Sequence, residues 1–357
     1  MNILIVKLSA IGDVIHTLPA LNAIRKHYPN AHITWAVEEA ASPLLEGHPA
    51  LDRILISRRK RWIRGLRGPS RRRHIRAMLD FIKALRDTQY DLVFDFQQLL
   101  KSGVLVGLSR GRRKIGYDRG MAHMEHSYLF LNERMRPVKM DNHALLRSLM
   151  LLEAVGIPRG EIVYKVPIQD KDKEAVDALL SDHGVGDAGL LIPINPMTKW
   201  TTKLWSGKKF ADLADRLIRQ HHARVIFTGG QEDREALQHI MADMAEDAVN
   251  LAGKTSLRML TALYDKSDFL ISTDTGPMHL AAAVGKPVVA IFGPTAPWRT
   301  GPFGEGHQVI RAGMECSPCL KRQCPTMECM ERVTVEDVLE GVRKVIARLS
   351  HTGDTAL

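Results

Sequence analysis

The segment Ser272-Thr-Asp-Thr-Gly-Pro-Met-His-Leu280 carries residue types in an order suited to holding a diphosphate. It follows an apolar, strand-like run, Asp268-Phe-Leu-Ile-Ser272, and opens a small-residue helix predicted over Met278 to Val284. Gly276 sits at the junction. Pro277 suits the first helical position, where its missing N–H would have no intrahelical partner. The N–H groups that follow point outward at the positive end of the helix dipole. A phosphate binds such an end through backbone donors. The alternative for this motif alone is an ordinary strand-turn-helix with a capping Asp or Thr.

The N-terminus offers a second constellation. Residues 3 to 6 form an uninterrupted apolar run, as expected for a parallel strand buried on both faces. A polar turn, Ser9 to Asp13, follows, and then Val14, Leu18, Leu21 and Ile24 recur at helical spacing. Asp13 therefore lies at the carboxyl end of a first strand, where open α/β sheets bind ligands. Its bland alternative is an N-cap aspartate. Pro19 should kink that helix or delay its start to near Thr17, which would leave Asp13 in the loop facing a substrate.

All four cysteines fall in Cys316-Ser-Pro-Cys319-Leu-Lys-Arg-Gln-Cys324-Pro-Thr-Met-Glu-Cys329. The C-x2-C and C-x4-C pairs have metal-ligand spacing, but the gap between the pairs is far shorter than in zinc ribbons. A structural zinc at Cys316, Cys319, Cys324 and Cys329 stands beside reduced thiols or labile disulfides. A further concentration of chemistry is cationic. Arg58, Arg59, Lys60, Arg61, Arg64, Arg67, Arg71, Arg72, Arg73 and Arg76 fall together with no acid among them. Such a run attracts phosphate-bearing lipid, nucleic acid or an acidic sugar, or is a solvated face. Trp62 interrupts it and either rests on lipid or packs inward.

The elements that must position these groups alternate between strand and helix, which argues for α/β units with parallel sheets. The first half predicts strands at Ile3–Lys7, Ala31–Val37, Arg53–Ile56, Leu92–Asp95 and Lys114–Tyr117, with its longest helix from about Arg72 to Asp87. A helix over about His143 to Val155 closes this domain, set at residues 1–165. The pattern restarts with strands at Gly189–Asn195, Ala223–Thr228, Asp268–Ser272 and Pro287–Phe292, giving a second domain at 166–334. A C-terminal helix at 335–350 and a disordered tail at 351–357 complete the reading. Two doubly wound, Rossmann-like halves facing a cleft are the expected architecture. A length of 357 residues suits two cores, and 45% apolar with 25% charged residues fits a globular chain. No run approaches the roughly 18 to 20 apolar residues of a membrane span. The first strand starts too early to leave room for a signal peptide, so a cytoplasmic protein is expected.

The sequence resembles the glycosyltransferases of family 9, and within it the ADP-heptose:lipopolysaccharide heptosyltransferases, nearest the heptosyltransferase I group. The resemblance rests on Ile5-Val-Lys-Leu-Ser-Ala-Ile-Gly-Asp-Val-Ile-His-Thr-Leu-Pro19, Trp35-Ala-Val-Glu-Glu39, Asp95-Phe-Gln-Gln-Leu-Leu-Lys-Ser102, Asn195-Pro196, Thr202-Lys-Leu-Trp205 and Asp274-Thr-Gly-Pro-Met-His279. It implies a GT-B architecture, inversion at the anomeric carbon and no metal in catalysis. Asp13 matches the family's proposed base and Lys203 the lysine that meets the donor phosphates.

The residue chemistry agrees, since glycosyl transfer needs a base for the acceptor hydroxyl and positive charge for the departing diphosphate. Donor contacts are expected from Thr198, Lys203, Asp274, Thr275, Gly276 and His279. The loop Gly229-Gly-Gln-Glu-Asp233 resembles the segment whose acid holds the ribose hydroxyls, leaving Glu232 and Asp233 as alternatives. Acceptor contacts are expected from Lys7, Gly12, Glu38, Lys60, Arg61, Arg64, Asp95 and Lys101. For Glu38 and Asp95 a hydrogen-bonded structural role is the alternative. The expected function is transfer of L-glycero-D-manno-heptose from ADP-heptose to the Kdo region of a lipid A precursor, on the cytoplasmic face of the inner membrane. No cofactor is expected, the anionic membrane surface is an expected partner, and oligomeric state is left open. Heptosyltransferase II or III, or another family 9 enzyme, is the alternative. A basic nucleic-acid-binding protein ranks below both, because few aromatics accompany the basic residues.

Overall fold

The apolar β-branched runs become the strands of two parallel sheets in a computed structural model that describes residues 1–121 and 125–353. The chain divides into two units, Met1–Pro167 and Ile168–Leu357. Each carries its own sheet and its own core, which is the GT-B pairing of Rossmann-like domains.

In the first unit β1 (Asn2–Val6), β2 (His32–Glu38), β3 (Arg53–Ser57), β4 (Gln89–Asp95), β5 (Arg110–Tyr117) and β6 (Glu133–Met135) lie in the order β3-β2-β1-β4-β5-β6. Its helices are α1 (Ile11–Ile15), α2 (Leu18–His27), α3 (Arg59–Gly65), α4 (Arg71–Arg86), α5 (Leu100–Leu108) and α6 (Ala144–Glu153). Residues Ile3 to Val6 are fully buried, as a central strand covered on both faces requires. One face of the sheet packs Leu4 and Val6 against a cluster that includes Trp62, Phe81 and Leu85. Trp62 therefore packs inward, its ring 5.4 Å from that of Phe81. Gly65 ends α3 directly against α4, since a Cβ there would overlap the His74 ring.

The second unit repeats the plan. Strands β7 (Leu191–Asn195), β8 (Arg224–Phe227), β9 (Val249–Asn250), β10 (Leu270–Thr273), β11 (Val288–Ile291) and β12 (Gln308–Ile310) lie in the order β12-β11-β10-β7-β8-β9. Its helices are α7 (Asp170–Asp182), α8 (Gly207–His221), α9 (Arg234–Ala242), α10 (Leu257–Lys266), α11 (Gly276–Ala283), α12 (Pro297–Thr300), α13 (Glu328–Glu331) and α14 (Val335–Gly353). Val338, Leu339, Val342 and Val345 of α14 pack into the core with Ile192, Phe210 and Ile291. Helix α14 runs past His351, where a disordered tail was expected to begin; residues 354–357 lie outside the described residues.

The two strand orders are equivalent. In each sheet the first strand of the unit lies beside the fourth, so chain direction across the sheet reverses between them: β1 beside β4, and β7 beside β10. The carboxyl ends at such a switch point leave a crevice, because the loops on either side diverge.

Candidate active site

At the first switch point, the loops after β1 and β4 come together. Pro19 breaks the helical run, so α2 starts afresh at Leu18 and the residues before it form the separate turn α1. Asp13 is thus held on a short helix, not in the open loop expected from sequence. Its Oδ2 accepts the Ala10 N–H at 2.9 Å, satisfying one of the free donors at the start of α1. The carboxylate remains about half exposed and its Oδ1 lies 4.0 Å from Lys7 Nζ. Gly12, in contrast, is buried within α1, its carbonyl accepting the His16 N–H.

Lys7 continues β1 and is buried, donating from Nζ to the Phe96 carbonyl at 3.0 Å. Burial lowers its pKa below the ordinary lysine range; the Asp13 charge opposes this and Arg147 adds to it. Gln97, just after β4, accepts the Leu8 and Ser9 N–H groups on Oε1, both at 2.9 Å, and so ties the two loops together. Lys7, Asp13, His16, Gln97, Met140 and Arg147 line a cavity of about 270 Å³. Arg147 was missed by sequence reasoning. Its signal is present, because it is the lone cation in the apolar run Ala144-Leu-Leu-Arg-Ser-Leu-Met-Leu-Leu152 of α6.

Other expected acceptor residues lie off this cavity. Asp95 is fully buried, and its Oδ1 accepts the Gln97 and Gln98 N–H groups at 3.1 and 3.0 Å. Burial raises its pKa against the lowering effect of those bonds. It shapes the turn that carries Gln97. Glu38 gathers a separate cationic cluster: Lys101 Nζ at 3.3 Å, an Arg59 nitrogen at 3.6 Å and Lys60 Nζ at 3.7 Å. Lys101 also donates to Ser9 Oγ at 2.5 Å, which links this cluster to the loop before Asp13. Arg61 and Arg64 are exposed on α3.

At the second switch point, the loop after β7 brings Lys203 to the end of β10. Lys203 Nζ lies 2.6 Å from Asp274 Oδ2, with both side chains largely buried, and the same oxygen accepts the Thr295 hydroxyl at 2.6 Å. The ammonium also sits 4.5 Å from the Trp200 ring centre. Helix α11 starts at Gly276, two residues earlier than expected, so Pro277 occupies its second position. Thr275 precedes it in extended conformation and its side chain makes no capping bond. With Asp274 committed to Lys203 and Thr295, neither residue of the capping alternative caps the helix. Its first N–H groups thus carry no side-chain cap, the condition under which a helix start can take an anion. His279 is buried one turn further along α11.

Thr198 is half-buried in the loop after β7, and β8, the neighbour of β7 on the side away from β10, ends in a loop of its own. Asp233 Oδ2 accepts the Gly230 N–H at 2.7 Å, which commits Asp233 to the turn. Glu232 is exposed, its carboxylate folded over Gly230.

The four cysteines are free thiols lining one cavity of about 70 Å³. Among the described residues no group of three or more His, Cys, Asp or Glu side chains is disposed to hold a metal ion, so the spacing has not produced a preformed ligand sphere. The segment is not remote from the second site. Lys321 accepts the Thr202 hydroxyl at 2.9 Å, and the Arg322 guanidinium lies 4.7 Å from the Trp200 ring that also meets Lys203.

Comparison with known proteins gives these two sites a family. The sequence model of glycosyltransferase family 9 (heptosyltransferase) matches residues 78–330. Lipopolysaccharide heptosyltransferase 1 of Pseudomonas aeruginosa is 32% identical over 92% of this chain and 89% of its own. Lipopolysaccharide heptosyltransferase 3 of Escherichia coli is 28% identical over 96% and 97%. Among solved structures, E. coli heptosyltransferase WaaC with ADP superposes with a TM-score of 0.76 at 26% identity, over 97% of this chain and all of that one. A family 9 glycosyltransferase of Veillonella parvula reaches 0.80 at 24% identity over 97% of both chains, which bears on the fold. With the family model spanning most of the chain and relatives matching it almost end to end, the chain belongs to glycosyltransferase family 9 and is a transferase.

Proposed function

We propose that this enzyme transfers L-glycero-D-manno-heptose from ADP-heptose to the Kdo region of a lipid A precursor in lipopolysaccharide core assembly, with inversion and without a metal. The observation that carries the reading is the Lys203–Asp274 pair beside the uncapped start of α11, a fixed cation next to free backbone donors. A relative of the same fold is described with ADP, and relatives along the whole chain are named for heptosyl transfer to lipopolysaccharide.

In the proposed reaction Asp13 takes the proton of the acceptor hydroxyl as its oxygen forms the new bond to the anomeric carbon. The bond from that carbon to the diphosphate oxygen breaks on the opposite side, and its electron pair leaves with ADP. Lys203 and the first N–H groups of α11 meet the charge that develops there. Metal independence rests on the donor set: Asp274, the carboxylate nearest that helix start, already accepts from Lys203 and Thr295 on one oxygen. Glu232 is the ribose ligand in this reading, since Asp233 is committed to Gly230. Arg147 and Lys7 together offer a carboxylated sugar two cations in the cavity of Asp13.

Product analysis with ADP-heptose and Kdo2-lipid A, with a heptosylated acceptor as competitor and EDTA present, tests this reading. A heptosylated product from the unheptosylated acceptor is expected. Transfer confined to the heptosylated competitor would move the enzyme to a later step of core assembly, in line with its likeness to heptosyltransferase 3.

A further inference from the structure

The arginine-rich hairpin of α3 and α4 exposes large apolar side chains as well as charge. Trp62, Phe81 and Leu85 turn inward, yet Ile63 and Leu66 on one arm and Ile75 and Leu79 on the other are 38 to 58% exposed. On α4 the outward stripe reads Arg72, Ile75, Arg76, Leu79, Lys83, at the three- and four-residue spacing of one helix face. All five of these side chains are exposed. From residue 58 to residue 79 there is no acidic residue. Ile75 and Leu79 stand one turn apart on the same helix face, an exposed apolar stripe and not isolated exposed residues. Basic side chains flanking a narrow apolar stripe match a bilayer interface, where cations meet lipid phosphates and the apolar side chains enter the acyl boundary.

We propose that the α3–α4 hairpin is a membrane-docking element that binds anionic lipid, with Ile75 and Leu79 as apolar anchors between Arg72, Arg76 and Lys83. The inference rests on the proposed function for its setting, since an enzyme acting on a lipid-borne acceptor meets that acceptor at a bilayer. It goes further in assigning the contact to one hairpin and to apolar insertion as well as charge. Arg59 and Lys60 on α3 are each paired with the buried Glu38 carboxylate, at 3.6 and 3.7 Å, which leaves the α4 cations to the lipid.

The full chain is compared with I75S/L79S and R72Q/R76Q in sedimentation with vesicles of phosphatidylglycerol and phosphatidylethanolamine, and with vesicles of phosphatidylcholine alone. Transfer to a deacylated, water-soluble Kdo acceptor is measured in parallel. I75S/L79S should lower binding to anionic vesicles by roughly tenfold or more, as expected for losing two inserted side chains. R72Q/R76Q should lower it and flatten its salt dependence. Both should keep wild-type transfer to the soluble acceptor, because neither pair touches the Asp13 cavity. Unchanged vesicle binding by I75S/L79S overturns the proposal. So does equal binding of the wild type to phosphatidylcholine, a dimer dispersed by I75S/L79S in analytical ultracentrifugation, or complete displacement from vesicles by stoichiometric RNA. Failure of the wild type to use any Kdo acceptor, with lipid binding intact, overturns the proposed function and leaves the docking surface standing.

Discussion

Asp13 illustrates how a residue is made available for chemistry. One carboxylate oxygen is tied to the Ala10 N–H, which fixes the side chain, and the other faces a cavity with Lys7 4.0 Å away. Asp13→Ala should lower kcat by roughly 10²- to 10⁴-fold, the usual contribution of a positioned base, and leave ADP affinity unchanged. Near-wild-type turnover by the folded variant removes Asp13 from the mechanism. Lys7 gives the pH dependence. Burial favours its neutral form, so it loses its proton at lower pH than an ordinary lysine, and turnover should fall on the alkaline side as that charge disappears. Lys7→Arg, whose guanidinium stays charged, should carry that limb to higher pH. An alkaline limb that does not move in a folded, active Lys7→Arg enzyme assigns it to another group. The sequence made Asp13 and Lys7 legible because both follow a plainly apolar strand. Arg147 stands out in the sequence as the lone cation of an apolar helix, but only the fold brings α6 alongside the loop after β1 and so gives that signal a place.

At the scale of elements, the same residue types have opposite roles depending on where a strand ends. Asp95 ends β4 and Asp274 follows directly on β10; Asp274 was expected at the donor, and Asp95 either at the acceptor or in a structural, hydrogen-bonded role. Asp95 is sealed beneath its own turn, whereas Asp274 holds a lysine at a helix start. Asp95→Ala should therefore cost about 1–3 kcal/mol of stability, the penalty of leaving buried backbone donors unmade, and thermal unfolding measures it. Asp95→Asn keeps an acceptor for the turn and removes a charge that burial disfavours. It should retain most of the stability, and a loss as large as that of the alanine variant would show that the charge itself is needed.

Lys203→Ala should weaken ADP binding roughly tenfold or more, in the range of one charged hydrogen bond. It should also lower Tm, because Asp274 is left buried without its partner. A fall in Tm with unchanged ADP affinity by calorimetry reduces Lys203 to a structural partner. The contacts of Lys321 and Arg322 with the Thr202 and Trp200 loop add a consequence for the cysteine segment. The fold places that segment against the lysine loop, although it is far from Lys203 in sequence.

At the scale of the whole molecule, what could be read from sequence was the repeated alternation of long apolar runs with amphipathic helices, and that sufficed for two Rossmann-like units. The short strands β6, β9 and β12 escaped, because two or three residues at or near the edge of a sheet carry no period of their own. Helix α7 escaped for a related reason. Its run Asp170-Lys-Asp-Lys-Glu-Ala-Val-Asp-Ala-Leu-Leu is mostly charged, and its buried face carries Asp172 with Val176 and Leu180. Yet α7 opens the second unit, and its Asp172 makes a buried pair with Arg258 of α10 at 2.6 Å.

The second unit is thereby complete in itself: its first helix is locked to α10, its sheet repeats the full strand order, and α14 closes its core. Every residue proposed to bind the donor, from Thr198 to His279, lies within it. A fragment of residues 168–357 should consequently fold cooperatively and bind ADP within about tenfold of the full chain's Kd, a difference of about 1.4 kcal/mol, while transferring no heptose because Asp13 is absent. Calorimetric titration of the fragment with ADP measures this. A folded fragment with no measurable ADP affinity would mean that the first unit supplies part of the donor site, and would move the search for donor residues to the cavity that holds Lys7, Asp13 and Arg147.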